Sequence, residues 1–312
     1  MRNGYAQINS SKANFDEIYT QPDPRGYFSL LGALDYMIPD LAAPILDQLL
    51  SARRGVNGQP LTVLDVGCSY GINAAMHRFP LTFQTLRRRY TRCEMAQLSP
   101  TDLREYDRRY YSSWPETGRT QFIGLDNSRE AVDYACAVGL LKHGVVADLE
   151  RETLSARDAA IVKEADVILS TGCIGYVTER TYSQLISSRT RAPWVVSFVL
   201  RMFPFEPLSR RLAEHGLVTE RLAGLTFAQR RFRDEREFSH TLHVLRELGV
   251  STEGLESQGL FHAELFVSRP EADVREAPLS AIVTACSGQQ RPMGLRYVEL
   301  PSAEGQSIVQ EP

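Results

Sequence analysis

No apolar run in the 312 residues approaches the ~20 that a membrane-spanning helix needs, so a membrane protein is not expected. The opening Met1-Arg2-Asn3-Gly4-Tyr5 leads into polar sequence, which gives no secretory signal. Cysteines are few and scattered: Cys68, Cys93, Cys136, Cys173 and Cys286 never form a Cys-x-x-Cys pair. That pattern excludes a disulfide framework or a zinc site and suggests reduced thiols in a cytoplasm. A formal net charge of −3 supplies no broad attraction to nucleic acid. His240 and His243 lie one helical turn apart without an evident third ligand, so no metal is expected. The basic run Arg87-Arg88-Arg89-Tyr90-Thr91-Arg92 is followed by Glu94, Glu105 and Asp107, and suggests a solvated helix face.

What is present is the composition of an ordinary globular chain, 43% hydrophobic and 23% charged. Short apolar runs rich in Val, Ile, Leu and Phe recur at Leu61–Val66, Gln121–Leu125, Gly144–Ala147, Asp166–Leu169 and Trp194–Leu200, as expected of strands buried on both faces. Between them, Ser128–Leu141, Leu154–Ala165 and Thr178–Ser188 have helical spacing, with Ser128 and Thr178 as N-caps. The span Leu81–Ser113 is Arg- and Tyr-rich and predicts two extra helices on the sheet's flank. Pro207–His215 suggests a helix, Leu217–Leu222 and Phe227–Phe232 strand or ribbon, Glu235–Leu248 a helix, and Phe261–Ser268 a last strand in an antiparallel hairpin at one sheet edge. The fold class is α/β, a doubly wound, seven-stranded sheet over residues 59–270. Residues 1–58 lack strand signals and form a helical cap, with Asn14 as a candidate helix cap and helical periodicity over Phe28–Leu50 around Pro39 and Pro44. Residues 271–312 form a polar C-terminal appendage.

The first strand runs into Asp65-Val66-Gly67-Cys68-Ser69-Tyr70-Gly71. Glycines at 67 and 71 let the backbone turn and approach a ligand closely. A dinucleotide site wants Gly-x-Gly-x-x-Gly and a pyrophosphate at the helix N-terminus. Here Asp65 precedes the first glycine by two residues; it would repel pyrophosphate and suits a ligand that is cationic near the loop. The second strand ends at Asp126, where doubly wound folds place an acid for ribose hydroxyls, with Asn127 beside it. The fourth strand ends in Ser170-Thr171-Gly172-Cys173-Ile174-Gly175-Tyr176, a loop open enough for a substrate.

On these residues the chain resembles the class I S-adenosylmethionine-dependent methyltransferases, whose Rossmann-like sheet has an apolar strand, an acid and a Gly-x-Gly-x-Gly loop. Ser69 departs from the middle glycine. The resemblance implies that Asp65, Gly67, Ser69, Tyr70, Gly71, Asp126, Asn127, Thr171 and Gly172 hold S-adenosylmethionine. It also implies that Asp148 reaches the adenine amine and that the Leu149 backbone meets a ring nitrogen. Tyr176 offers a ring face to the sulfonium, with a packing tyrosine as the competing reading. From the cap, Tyr19 and Tyr27 are candidates for a lid, and Arg25 for a fork onto the ligand's carboxylate.

Three readings of the function stand. Phe15-Asp16-Glu17-Ile18-Tyr19 with Gln21–Phe28, Cys68-Ser69-Tyr70-Gly71-Ile72-Asn73, and Gly175-Tyr176-Val177-Thr178-Glu179-Arg180-Thr181 together resemble the bacterial S-adenosylmethionine cyclases that form azetidine-2-carboxylate. The favoured reading is therefore intramolecular cyclisation with release of methylthioadenosine, with Tyr176, Asn127 or Ser170 orienting the amine or accepting its proton. The alternative is methyl transfer to a small-molecule acceptor. No Asn-Pro-Pro-aromatic stretch follows the fourth strand, which weakens a flipped base as that acceptor. The third reading is a non-catalytic S-adenosylmethionine-binding protein.

Overall fold

The computed structural model describes residues 5–9, 15–53, 59–116, 120–187, 191–284, 296–302 and 305–311. The candidate cap at Asn14 lies outside the described residues. Four helices lead: α1 (Ala6–Asn9), α2 (Asp16–Tyr19), α3 (Arg25–Ala33) and α4 (Ile38–Ala52). The helical periodicity over Phe28–Leu50 thus divides in two. Pro39 sits in the first turn of α4, where its missing N–H has no intrahelical partner to lose.

Alternation follows: β1 (Thr62–Val66), α5 (Ile72–Arg78), α6 (Phe83–Tyr90), α7 (Cys93–Ala96), α8 (Pro100–Ser112), β2 (Gln121–Asp126), α9 (Arg129–Ala137), β3 (His143–Val146), α10 (Ala156–Val162), β4 (Val167–Thr171), α11 (Glu179–Ile186) and β5 (Trp194–Leu200). The insertion after β1 therefore holds a third short helix, α7, besides the expected two. Ser128 and Thr178 cap α9 and α11, accepting from the Ala131 and Arg180 N–H groups.

The chain then forms α12 (Glu206–Ala213), β6 (Leu217–Arg221), β7 (Phe227–Arg231), α13 (Glu235–Glu247), β8 (Leu260–Pro270), α14 (Glu271–Glu276) and α15 (Leu279–Ile282). A separate antiparallel hairpin joins β9 (Arg296–Ser302) to β10 (Gly305–Glu311). The appendage is therefore not uniform. Leu279 and Val283 are buried in the core, and Asp273 accepts from the Trp194 indole at 2.6 Å.

Strand order is β3-β2-β1-β4-β5-β8-β6, with β7 also on β8. The first five strands are parallel; β8 enters antiparallel beside β5. The last strand is thus an interior strand, and not part of an edge hairpin. It is eleven residues long, and β6 and β7 share its outer side end to end, at residues 266–270 and 260–263. Eight strands consequently fill seven positions. Every residue of β1 and β5 is buried, which is why both read as mainly apolar runs, broken by Thr62 and Asp65 in β1 and by Ser197 in β5. Each buried Val, Leu or Phe among them contributes roughly 1.5–3 kcal/mol. One continuous core runs from Tyr5 through the sheet to Val283, so the cap shares its interior with the sheet.

Candidate functional site

The topological switch lies between β1 and β4, and a cavity of about 710 Å³ opens at the carboxyl ends of these strands. Its floor comes from the ends of four neighbouring strands: Val66–Ser69, Leu125–Ser128, Ala147–Glu150 and Thr171–Cys173. Cap residues Asn9, Phe15, Tyr19, Tyr27 and Tyr36 form the roof, and Tyr176 stands at the rim, 51% exposed.

The loop after β1 is left-handed at three alternate positions, Gly67 (φ 72°), Ser69 (φ 49°) and Gly71 (φ 79°). A Cβ at Gly67 would fall 2.7 Å from that of Cys173, so this loop packs directly on the one after β4. Ser69 takes the strained conformation without being glycine, at a cost of about 1–3 kcal/mol. Part of the compensation is visible: its N–H donates to Asp126 Oδ2 at 2.8 Å. Asp126 Oδ1 accepts from the Ser128 N–H at 3.0 Å. Each carboxylate oxygen keeps lone pairs for a further donor. Burial raises the Asp126 pKa against the pull of the Ser128, Ser69 and Asn127 N–H groups.

Asp65 is fully buried one layer below the cavity. Burial is the main cause that pushes its pKa from the ordinary 3.8 to about 7; the Asn73 amide lowers it and Asp126 raises it. Asn73 Nδ2 donates to both Asp65 oxygens, at 3.0 and 3.1 Å, and lies 3.0 Å from Thr171 Oγ1.

Four other expected residues lie off the cavity. The Tyr70 ring is buried, with its hydroxyl 2.8 and 2.9 Å from the Ile18 and Gln21 carbonyls, so it anchors the cap to the loop. Gly71 begins α5 and packs near Ala135 and Leu140. Ser170 is buried beneath the β4 loop, 3.0 Å from Cys173 Sγ, which removes it as a group that could meet a ligand's amine. Arg25 is turned away: its guanidinium bonds Asp23 and the Met95 and Leu98 carbonyls. It staples the cap to the inserted helices, so it does not fork onto a ligand. Gly67, Ser69, Asp126, Asn127, Asp148, Leu149, Thr171, Gly172, Tyr176, Tyr19 and Tyr27 do meet at the cavity. His240 donates from Nε2 to the Ile8 carbonyl at 3.0 Å and ties α13 to the cap.

The tyrosines of the roof form a cluster. Tyr27 packs edge-on to Tyr19 and Tyr36, with centroids 5.8 and 6.4 Å away, and the Tyr27 and Tyr36 hydroxyls share a hydrogen bond. Burial raises all three phenol pKa values, that of Tyr36 to about 12, so they stay neutral. The cap is held over the site by the Asn9 amide donating to the Gly175 carbonyl at 2.7 Å, by Tyr5 to Pro204 at 2.7 Å, and by Ser128 to Tyr19.

Sequence reasoning passed over Gln229 and Arg230. Both line the cavity although they are adjacent on β7. Neighbours on a regular strand point to opposite faces. Here the pairing with β8 slips between Ala228 and Arg231, and this bulge leaves both buried. Arg230 is already bonded in two-point fashion to Glu237, at 2.9 and 2.7 Å. Against that one paired cation, the described lining carries four carboxylates, Asp126, Glu130, Asp148 and Glu150.

No family model matches the chain, and neither does any curated protein. Solved structures resemble it loosely. A TehB-like SAM-dependent methyltransferase from Corynebacterium glutamicum is 14% identical over 72% of this chain and 87% of its own, with a TM-score of 0.35. Magnesium protoporphyrin IX methyltransferase from Synechocystis, solved with bound SAM, is 12% identical over 86% and 92%, at 0.36. The YcgJ protein of Bacillus subtilis is 9% identical over 72% and 97%, at 0.40. The assignment of this chain to the doubly wound, Rossmann-like class rests on its own strand order and on a cleft at the switch point.

Proposed function

We propose that the cavity binds S-adenosylmethionine. The observation that carries this reading is the pairing of a net-negative floor with a tyrosine roof at the carboxyl ends of the parallel strands. A sulfonium is stabilised by aromatic faces, by up to about 2 kcal/mol when desolvated, and by nearby carboxylates. Asp126 has lone pairs for two ribose hydroxyls. Asp148 and the Leu149 backbone stand on the next strand end, where the adenine edge would lie.

For the reaction, the favoured reading is cyclisation of S-adenosylmethionine to azetidine-2-carboxylate. The α-amine, once neutral, forms a bond to the γ-carbon as the carbon–sulfur bond breaks; the electron pair returns to sulfur and methylthioadenosine leaves. The chain's part is to fold the ligand so that nitrogen, carbon and sulfur align, and to exclude water. A roof hydrogen-bonded to the floor supports both. Desolvation beside a sulfonium also lowers the ammonium's pKa, as this chemistry requires. A second reading, methyl transfer to a small molecule, is favoured by the half-exposed Tyr176, which leaves one side of the cavity open to an acceptor. Incubating the protein with S-adenosylmethionine alone separates them. Cyclisation yields methylthioadenosine and azetidine-2-carboxylate above the uncatalysed rate. Methyl transfer yields neither, and S-adenosylhomocysteine appears only once an acceptor is supplied. Binding with no turnover under any condition leaves a non-catalytic binder.

A further inference from the structure

Asn73 was not among the expected ligand contacts, yet it lines the cavity from the first turn of α5. The side-chain amide has two N–H donors and one carbonyl acceptor. The donor side is fully engaged by Asp65 and Thr171. Turning the amide over would set its carbonyl against the Asp65 oxygens, a contact between acceptors whenever Asp65 is ionised. While Asp65 is ionised, orientation is therefore fixed from below. The side-chain bonds of Asn73 to described residues all run through Nδ2, which leaves Oδ1 without a partner there, and the residue lines the cavity. The site thus presents a neutral acceptor close to the Gly67–Gly71 loop. With adenine beside β3 and ribose at the end of β2, the strand order leaves the end of β1 for the ligand's amino-acid portion.

We propose that Asn73 is the residue that recognises the ligand's α-amino group, with Asp65 and Thr171 as the positioning residues that turn its carbonyl toward the cavity. This rests on S-adenosylmethionine being the ligand. A carbonyl acceptor suits the amine in both of its states. It accepts an N–H from the ammonium on binding, and from the neutral amine afterwards, leaving the nitrogen lone pair to be aimed elsewhere. A carboxylate in the same place would favour the ammonium and hold back the proton that cyclisation must lose. By lying one layer down, Asp65 orients the contact without making it.

The test is calorimetric binding of three molecules: S-adenosylmethionine, its 2-oxo counterpart in which the amine is replaced by a carbonyl, and methylthioadenosine, which lacks the amino-acid portion. Asn73→Leu is expected to weaken S-adenosylmethionine by about 10- to 100-fold, the loss of a hydrogen bond to a charged group. The other two are expected to bind as they do to the parent, which also shows that the variant's site is folded. Asn73→Ser, too short to reach, carries the same expectation should the leucine variant fail to fold. Thr171→Val, which frees one side of the amide, is expected to give the same selectivity with a smaller loss. Equal losses for all three ligands, or none for S-adenosylmethionine, overturn the proposal. In that case the carbonyl faces the small void on the other side of Asn73, bordered by Pro39, Ala42 and Met76. If the parent protein binds none of the three, it is the S-adenosylmethionine reading that fails.

Discussion

Along its floor the cavity meets backbone N–H groups, small side chains and carboxylates, all carried on strands buried in the sheet. Along its roof it meets tyrosine rings carried by two short helices and a turn, held down by a handful of hydrogen bonds from Asn9, Tyr5, Tyr70 and Ser128. The floor is made of the same atoms that hold the sheet together. Asp126 both caps the loop and faces the cavity, and Gly67 both admits the turn and abuts Cys173. The roof is joined to the same core through Tyr27, but its outer residues Asn9, Phe15 and Tyr19 are only partly buried. Substitutions in the floor therefore disturb the sheet and the cavity together, whereas Asn9, Phe15 and Tyr19 can be changed with less effect on the sheet. Under the proposed function, these roof residues are where the reaction can be tuned.

The largest test of that contrast is truncation. Phe28 and Leu31 belong to the central core, so a cut that spares α3 must end before Arg25. Deleting residues 1–20 removes Asn9, Phe15 and Tyr19 from the roof and leaves the floor. Turnover of S-adenosylmethionine is expected to fall by on the order of 100-fold or more once water enters, while circular dichroism shows a retained α/β fold. A truncated chain that turns over normally ends the idea of a working roof.

Next in size is the effect of pH on the unliganded floor. Asp65 has a higher pKa folded than unfolded, so its contribution to stability is complete below the unfolded value of 3.8 and is lost as pH rises through about 7. Asp65→Asn, followed by thermal melts across that window, should lose less stability with rising pH than the parent. The residual slope is expected from Asp126 and Asp107, whose pKa values burial also raises. An unchanged slope means that Asp65 titrates normally.

The smallest effect concerns the staple between cap and inserted helices. Arg25→Met removes the bonds to Asp23, Met95 and Leu98, leaves the buried Asp23 carboxylate without its cation, and is expected to cost about 1–3 kcal/mol in unfolding experiments. Affinity for S-adenosylmethionine should not change, because the guanidinium points away from the cavity. A tenfold loss of affinity would show that the roof and its staple are one device.

Much of the floor was legible because its signals are local. An apolar run ending in Asp65, a turn needing Gly67 and Gly71, and a first charge at Asp126 each report on a few consecutive residues. The roof was legible only as a set of aromatic candidates, since a tyrosine reads the same whether it packs or lines a cavity. Arg25 departs from the expectation for two reasons: Asp23, two residues earlier, pairs with its charge, and the carbonyls that complete its bonding lie some seventy residues away. Gln229 and Arg230 gave no signal, because they reach the cavity only through the pairing of β7 with a strand that follows it by thirty residues.

That pairing has one further consequence. The bulge between Ala228 and Arg231 adds a single residue to one side of the ladder, and with it both Gln229 and Arg230 line the cavity. Losing one residue there would restore strict alternation, and one of the two side chains would turn outward. One residue of chain length at the sheet edge therefore sets whether this wall of the cavity carries one polar side chain or two.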